Sequence, residues 1–448
     1  MTGGKQPRAL ELFAQTAATR LLGMASSSLL IVVLSRALNP DQYGVYALFT
    51  TTYVFGNLLF GLNLSGNLSR HVPGQEEHRA RSLLTTFVLA EMALGAGILL
   101  FIFVTGLDRM TAIALDIKHY LPEFRLLLIL IWVDLGANGC LNYLLARKEF
   151  GSANILTLFR ASALGPGLGL VWLVGGSLTM STIATVWLVT STLSLVVGFG
   201  LTRLMTYLRQ GFDWSALRGA VSFGVMLAAQ SFCFYFLKLA DRYFLARYSN
   251  LHDIGIYSFA YTLSNIAYSL SALVLIGLFQ PHIVEAHNRN DMKIRDLLLG
   301  QMTRSCLAAV LVAAAVTALF SKHLIFFARP SYADSAGVLP WLLLTLVPVV
   351  AAFPAAILLM LERKLWASVA GGSAAVAVAV VLNMILVPRF SYRGALAASA
   401  AGFITLGCVQ HAVANSWRFL TPAHLRGLGV DLATVFRRRV RDRPPDPK

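Results

Sequence analysis

Apolar runs of about 20 residues recur along the whole chain, separated by short stretches rich in charge, glycine, proline and asparagine. A run of that length, wound at about 1.5 Å per residue, crosses the roughly 30 Å hydrocarbon core of a bilayer as one helix. The pattern predicts about twelve spans, near 12–34, 44–66, 83–105, 125–145, 153–175, 182–203, 218–239, 255–279, 297–320, 338–361, 366–387 and 394–415. Helices are expected because lipid leaves every backbone N–H and C=O to be satisfied within its own segment. A membrane β-barrel would show alternating segments of about ten residues, which this sequence lacks. The first run follows Lys5 and Arg8, but its apolar part is too long for a signal peptide and residues 36–40 make a poor cleavage site. That run is expected to be retained.

The spacing of polar residues between the runs repeats. Leu34, Arg36, Asn39, Gly44 and Tyr46 return 211 residues later as Leu245, Arg247, Asn250, Gly255 and Tyr257. Weaker echoes pair Arg79-Ala-Arg81 with Lys293-Ile-Arg295, and Arg147-Lys148 with Arg363-Lys364. Two six-helix halves are expected, a lobe over 1–210 and a lobe over 211–417, followed by a tail over 418–448. An even number of spans per half gives parallel repeats, an arrangement found in transporters. In the repeated segment itself, glycine is expected to free a turn and arginine to cap the helix ending there.

Composition agrees with the pattern. Hydrophobic residues make up 57% of the 448 and charged residues 13%, which points to an all-α polytopic membrane protein. The net charge of +16 would suggest nucleic acid if it were spread evenly. Instead, 23 Lys and Arg fall in the N-terminus, the even-numbered loops and the tail, against ten in the odd-numbered loops and four within spans. That bias places both termini in the cytoplasm. The tail cluster Arg437-Arg-Arg-Val-Arg-Asp-Arg443 is expected to meet anionic lipid rather than nucleic acid. The four cysteines have no metal or disulfide spacing, and no cofactor is expected.

Catalytic signatures are missing. There is no Gly-x-x-x-x-Gly-Lys-Ser/Thr, no His-Glu-x-x-His and no Gly-x-Ser-x-Gly, and no loop is long enough to carry a folded soluble domain. The chain is expected not to be an enzyme. Asp241-Arg-Tyr243 lies in a predicted loop and carries little weight.

The candidate chemistry is inside the spans, where an ionisable side chain costs several kcal/mol unless it meets a partner or a wet cavity. Arg20, Glu91, Arg160 and Arg304 are predicted at one depth, with Asp134 nearer the middle and Lys238 near the outer surface. Arg20, Arg160 and Arg304 are candidate ligands for a phosphate-bearing substrate, because a guanidinium fork matches phosphate oxygens. Asp134 and Glu91 are the candidates for coupling an ion. Snorkelling to the headgroups, or structural ion pairs such as Arg20–Glu91, would account for the same charges. Tyr53, Asn57 and Gln230 supply hydrogen bonds and a ring face suited to a sugar. Singly, each of them also reads as helix packing. Pro340, Pro348 and Pro354 are expected to bend the tenth span.

Residues 34–46, followed by a Gly- and Asn-rich second span ending near Arg70, resemble the polysaccharide transporter branch of the MATE-like exporter superfamily, which includes the Wzx-type flippases. The resemblance implies two six-helix lobes and alternating access. It also implies passage of an undecaprenyl-diphosphate-linked oligosaccharide across the bacterial inner membrane, with polysaccharide polymerase machinery as a partner. The family's cationic cavity would correspond to Arg20, Arg160 and Arg304. A cation-coupled multidrug exporter of the same superfamily, a membrane polymerase or ligase, and a non-transporting scaffold are the competing expectations.

Overall fold

The computed structural model describes residues 9–162, 164–204, 212–269, 274–325, 328–362 and 364–421. A few further side chains, that of Arg20 among them, lie outside the described residues, as does the basic tail beyond 421. Among the described residues, each predicted span falls mostly on helix, the second being broken at Leu62 and Asn63. The chain runs through α1 (Ala9–Ala37), α2 (Pro40–Gly61), a 3-10 turn at Leu64–Asn67, α3 (Leu68–His71), α4 (Glu77–Thr105), α5 (Leu107–Ala114), α6 (Leu121–Ala146), α7 (Phe150–Ser162), α8 (Leu164–Leu173) and α9 (Met180–Thr202). It continues through α10 (Trp214–Leu239), α11 (Asp241–Tyr248), α12 (Leu251–Tyr268), α13 (Val274–Asn288), α14 (Met292–Ile325), α15 (Ser335–Leu361), α16 (Leu365–Phe390) and α17 (Tyr392–Ala414). Among the described residues, eight helices are long and apolar enough to cross a bilayer, and two bent pairs bring the number to ten. Large apolar side chains face outward along them, Val104 at 77% and Leu100 at 65% exposure, as expected where lipid rather than water is the solvent.

The chain forms two compact units, Met1–Phe259 with Ile325–Ala333, and Ala260–Leu324 with Asp334–Lys448. In the first, α6 lies at the centre and packs against α2, α4 and α9. Leu84, Phe87 and Val88 of α4 meet Cys140, Tyr143 and Leu144 of α6 in one buried cluster that also takes in Leu156 of α7. In the second, α17 packs along α15 and α16. There, buried His411 joins its Nδ1 to the Ser416 hydroxyl (2.8 Å) and its Nε2 to the Ala351 carbonyl oxygen (2.8 Å), tying the end of α17 to α15.

The sequence repeat is visible as a reciprocal contact inside the first unit. Asn39 caps α2, its side chain accepting from the Gln42 N–H at 2.8 Å, and Asn250 accepts from the Asp253 N–H at 2.8 Å at the start of α12. Gly44 and Gly255 lie one turn further on. A Cβ at Gly44 would overlap the Leu251 carbonyl oxygen, and a Cβ at Gly255 would overlap the Pro40 carbonyl oxygen. Pro40 and Leu251, 211 residues apart, begin their helices. The repeated glycine therefore does not free a turn, as the sequence suggested. It lies within a helix and lets two equivalent helix starts cross backbone to backbone. Arg329 and Tyr332 close over this crossing, donating to the carbonyls of Arg36 (2.7 Å) and Leu38 (3.2 Å).

Proline does not break the tenth predicted span, since α15 runs from Ser335 to Leu361 with all three prolines inside it. The sharp bend is elsewhere. Between α2 and the Leu64–His71 segment the chain turns by 64°. Leu62 (φ 47°) and Asn63 (φ 51°) both take left-handed backbone there. A second bend of 41° separates α7 from α8.

Candidate functional site

Polar residues of α2 recur on successive turns and meet three sets of partners within the first unit. The middle set is built around Asp134 of α6. Its Oδ2 accepts from the Tyr53 hydroxyl (2.6 Å), from Nη2 of Arg160 on α7 (2.7 Å) and from Nδ2 of Asn138 one turn along α6 (3.1 Å). Asn138 also donates to Oδ1 of Asn57 at 3.2 Å, and Asn57 donates to the Tyr53 carbonyl at 3.0 Å. The Trp187 ring of α9 stands 4.9 Å from that of Tyr53, the two planes 48° apart. Tyr53 is 13 residues into α2 and Asp134 is 13 into α6, about 20 Å along each helix and thus well inside a hydrocarbon core.

Asp134 is buried, its side chain 4% exposed, whereas the Arg160 side chain keeps 19% of its surface. Tyr53, Asn57, Asn138 and Trp187 are likewise only half-buried. Lipid cannot solvate such groups, so a polar, partly open face at this depth needs water or a ligand against it. Nε of Arg160 is buried without an acceptor, so Asp134 rather than the best arrangement of all five guanidinium donors sets the pose of this side chain.

The lower set surrounds Glu91 of α4. Its Oε2 accepts from the Ser65 N–H (3.2 Å), and its other oxygen lies against Gly61, where a Cβ would strike it. Asn142 of α6 donates to the Ser65 hydroxyl at 3.1 Å. The carboxylate thus caps a backbone donor that the broken helix leaves open. The Arg20 side chain, the other half of the alternative Arg20–Glu91 pair, lies outside the described residues. Asn67 is buried and donates to the Ala220 carbonyl (3.3 Å) and the Leu64 carbonyl (3.2 Å).

Sequence reading missed the upper set. Helix does not stop at the end of the seventh span, since after a turn at Ala240 it resumes as α11 and runs to Tyr248. Asp241-Arg242-Tyr243 is therefore helical rather than a loop. Asp241 and Arg242 are buried, at 3% and 4% exposure. Arg242 donates to the Thr51 hydroxyl (2.9 Å), the Tyr243 and Thr52 hydroxyls share a bond of 2.9 Å, and the Tyr257 hydroxyl donates to Asp241. A polar octet, Asp241–Tyr248, directly after an apolar run reads as a loop. The missed signal was its lack of any glycine or proline.

Of the predicted site residues, Tyr53, Asn57, Asp134 and Arg160 come together. Gln230 lies half-buried on α10, Arg304 is buried in the second unit on α14, and the side chain of Arg20 lies outside the described residues. Trp132 of α6 ties helices: its indole N–H donates to the Met92 carbonyl at 2.9 Å.

A family model described as polysaccharide biosynthesis protein matches residues 33–328. The chain belongs to that family. Its fold is shared with solved structures of low sequence identity. The lipid II flippase MurJ, in an inward closed conformation, superposes with a TM-score of 0.73 at 12% identity over 97% of this chain and 94% of its own. An inward-facing multidrug resistance MATE family transporter of the MOP superfamily gives 0.68 at 13% identity, over 89% of this chain and 94% of its own. A mutant of the Vibrio cholerae MATE transporter VcmN gives 0.59 at 12%, over 94% and 100%. No curated protein matches by sequence. The family match spans α2, α6, α7 and α9, and so takes in every residue of the Asp134 cluster.

Proposed function

We propose that this protein is a flippase for an undecaprenyl-diphosphate-linked oligosaccharide in the bacterial inner membrane, supplying polysaccharide assembly. The observation that carries the reading is the half-exposed polar wall of Tyr53, Asn57, Asn138 and Arg160 at mid-membrane depth, in a chain of the polysaccharide biosynthesis family. A polar headgroup rich in hydroxyls satisfies such a wall, while its lipid tail stays in the bilayer. With the cytoplasm negative, moving anionic charge outward gains about 2.3 kcal/mol per charge per 100 mV. Asp134 and Glu91 are the candidate acids on which ion coupling would act. The polymerase partner and lipid contact at the basic tail belong to the same proposal.

A multidrug exporter of the same fold would need a carboxylate open to cationic drugs. Asp134 already holds Arg160, which counts against that reading. The test is reconstitution of the full chain in liposomes with undecaprenyl-diphosphate-linked oligosaccharide on one leaflet. Wild type should move the lipid, and Arg160→Ala, purified in equal amount, should lose at least tenfold in rate. Wild-type protein that leaves the lipid in place while expelling rhodamine-type cations would overturn the proposal.

A further inference from the structure

We propose that the Asp134 cluster is the saccharide subsite of this transporter, with the Trp187 ring as its stacking face, and is not the seat of the diphosphate. The inference rests on the flippase reading above and assigns one part of the headgroup to one place. Its ground is charge. Arg160 and Asp134 neutralise each other at 2.7 Å, so the cluster presents no net charge to a ligand. A diphosphate could take Arg160 only by pulling it from Asp134, leaving a 4%-exposed carboxylate with two neutral donors, Tyr53 and Asn138. Breaking a buried pair that way costs more than one new pair returns.

What the cluster does offer is what a sugar ring uses. Planar groups carrying donors and acceptors, the amides of Asn57 and Asn138 and the paired guanidinium and carboxylate, are joined by hydrogen bonds across α2, α6 and α7. Beside them Trp187 is half-buried, inclined at 48° to Tyr53. Two inclined rings form a corner, and the C–H face of a pyranose fits against one of them while its hydroxyls reach the amides. Trp187 is the residue whose loss removes apolar stacking without touching the hydrogen-bonded pair. It is therefore the specificity-determining position.

The experiment uses the full chain in lipid nanodiscs and two probes: undecaprenyl diphosphate without sugar, and undecaprenyl diphosphate carrying one N-acetylhexosamine. Wild type is expected to bind the glycosylated probe more tightly. Trp187→Ala should lower that affinity about tenfold, a loss equivalent to one aromatic contact, and keep affinity for the sugar-free probe. Trp187→Phe should restore most of the loss. Asn138→Ala, which leaves Trp187 in place, should show the same split and covers the case in which Trp187→Ala fails to fold. Equal losses for both probes, or none for either, overturn the subsite. Wild type that binds the two probes equally also overturns it and leaves the flippase reading standing. Wild type that binds neither overturns both.

Discussion

Asp134 and Glu91 lie on neighbouring helices of one unit, are both carboxylates and are both 3% exposed, yet they are held in opposite ways. Asp134 takes three side-chain donors, one of them a cation, and the groups around it remain half-open. Glu91 takes a backbone donor at the break of α2 and lies against Gly61. A charge in a span can be retained to meet a ligand or to hold the backbone. What separates the two cases is whether its partners are side chains on a partly open face or the main chain of a packed helix. By that criterion Asp134 belongs to the candidate binding wall, and Glu91 belongs to the architecture of α2.

The largest effect is expected from breaking the charged pair. Asp134→Ala leaves a guanidinium inside the protein without its counter-ion, at a cost of about 3 kcal/mol or more. The double variant Asp134→Ala with Arg160→Ala removes the orphan charge and should regain most of that loss. Thermal unfolding in detergent, followed by intrinsic fluorescence, reads both. A single variant as stable as wild type would show that the pair does not hold α6 to α7.

Next comes the packing at the break. Gly61→Ala places a methyl group against the Glu91 carboxylate and 2.9 Å from Cδ2 of Leu135. The carboxylate must swing away from the Ser65 N–H, and overpacking of this kind costs about 1–3 kcal/mol. A spin-label pair across Leu62 and Asn63 should report a changed bend in Gly61→Ala and none in Asp134→Ala. If both variants move the labels alike, the two carboxylates do not have the separate roles assigned here.

How far the sequence could go follows from the same residues. Hydrophobic run length is a strong signal, so among the described residues the predicted spans fall mostly on helix. The 211-residue echo was legible because a capping Asn and a crossing Gly tolerate few replacements. Its meaning was not, because no single sequence shows that Gly44 and Gly255 face the start of each other's helix. Candidates at Tyr53, Asn57, Asp134 and Arg160 stood out as polar residues in apolar surroundings. Their mutual pairing depends on how α2, α6 and α7 pack, a long-range fact. Arg242 was hidden because a polar octet looks like a loop until its neighbours Thr51 and Thr52 are in place. Trp187 was hidden because a tryptophan in a span reads as an interfacial anchor.

The smallest expected effect gives the sharpest contrast. Glu91→Gln keeps an acceptor oxygen for the Ser65 N–H and removes only the charge. If Glu91 serves the backbone, as its contacts indicate, stability should change by about 0.5 kcal/mol or less, the range of a substitution that leaves every hydrogen bond made. Glu91→Leu deletes the acceptor and leaves a buried N–H open, at about 1–3 kcal/mol. Transport assays on the same pair carry the second half of the comparison. A Glu91→Gln protein that folds and bends like wild type but loses all transport would show that the charge itself is used. Glu91 would then rejoin Asp134 as a working acid of the pathway. Full transport by Glu91→Gln, set beside loss in Arg160→Ala, would leave one carboxylate for the ligand and one for the helix.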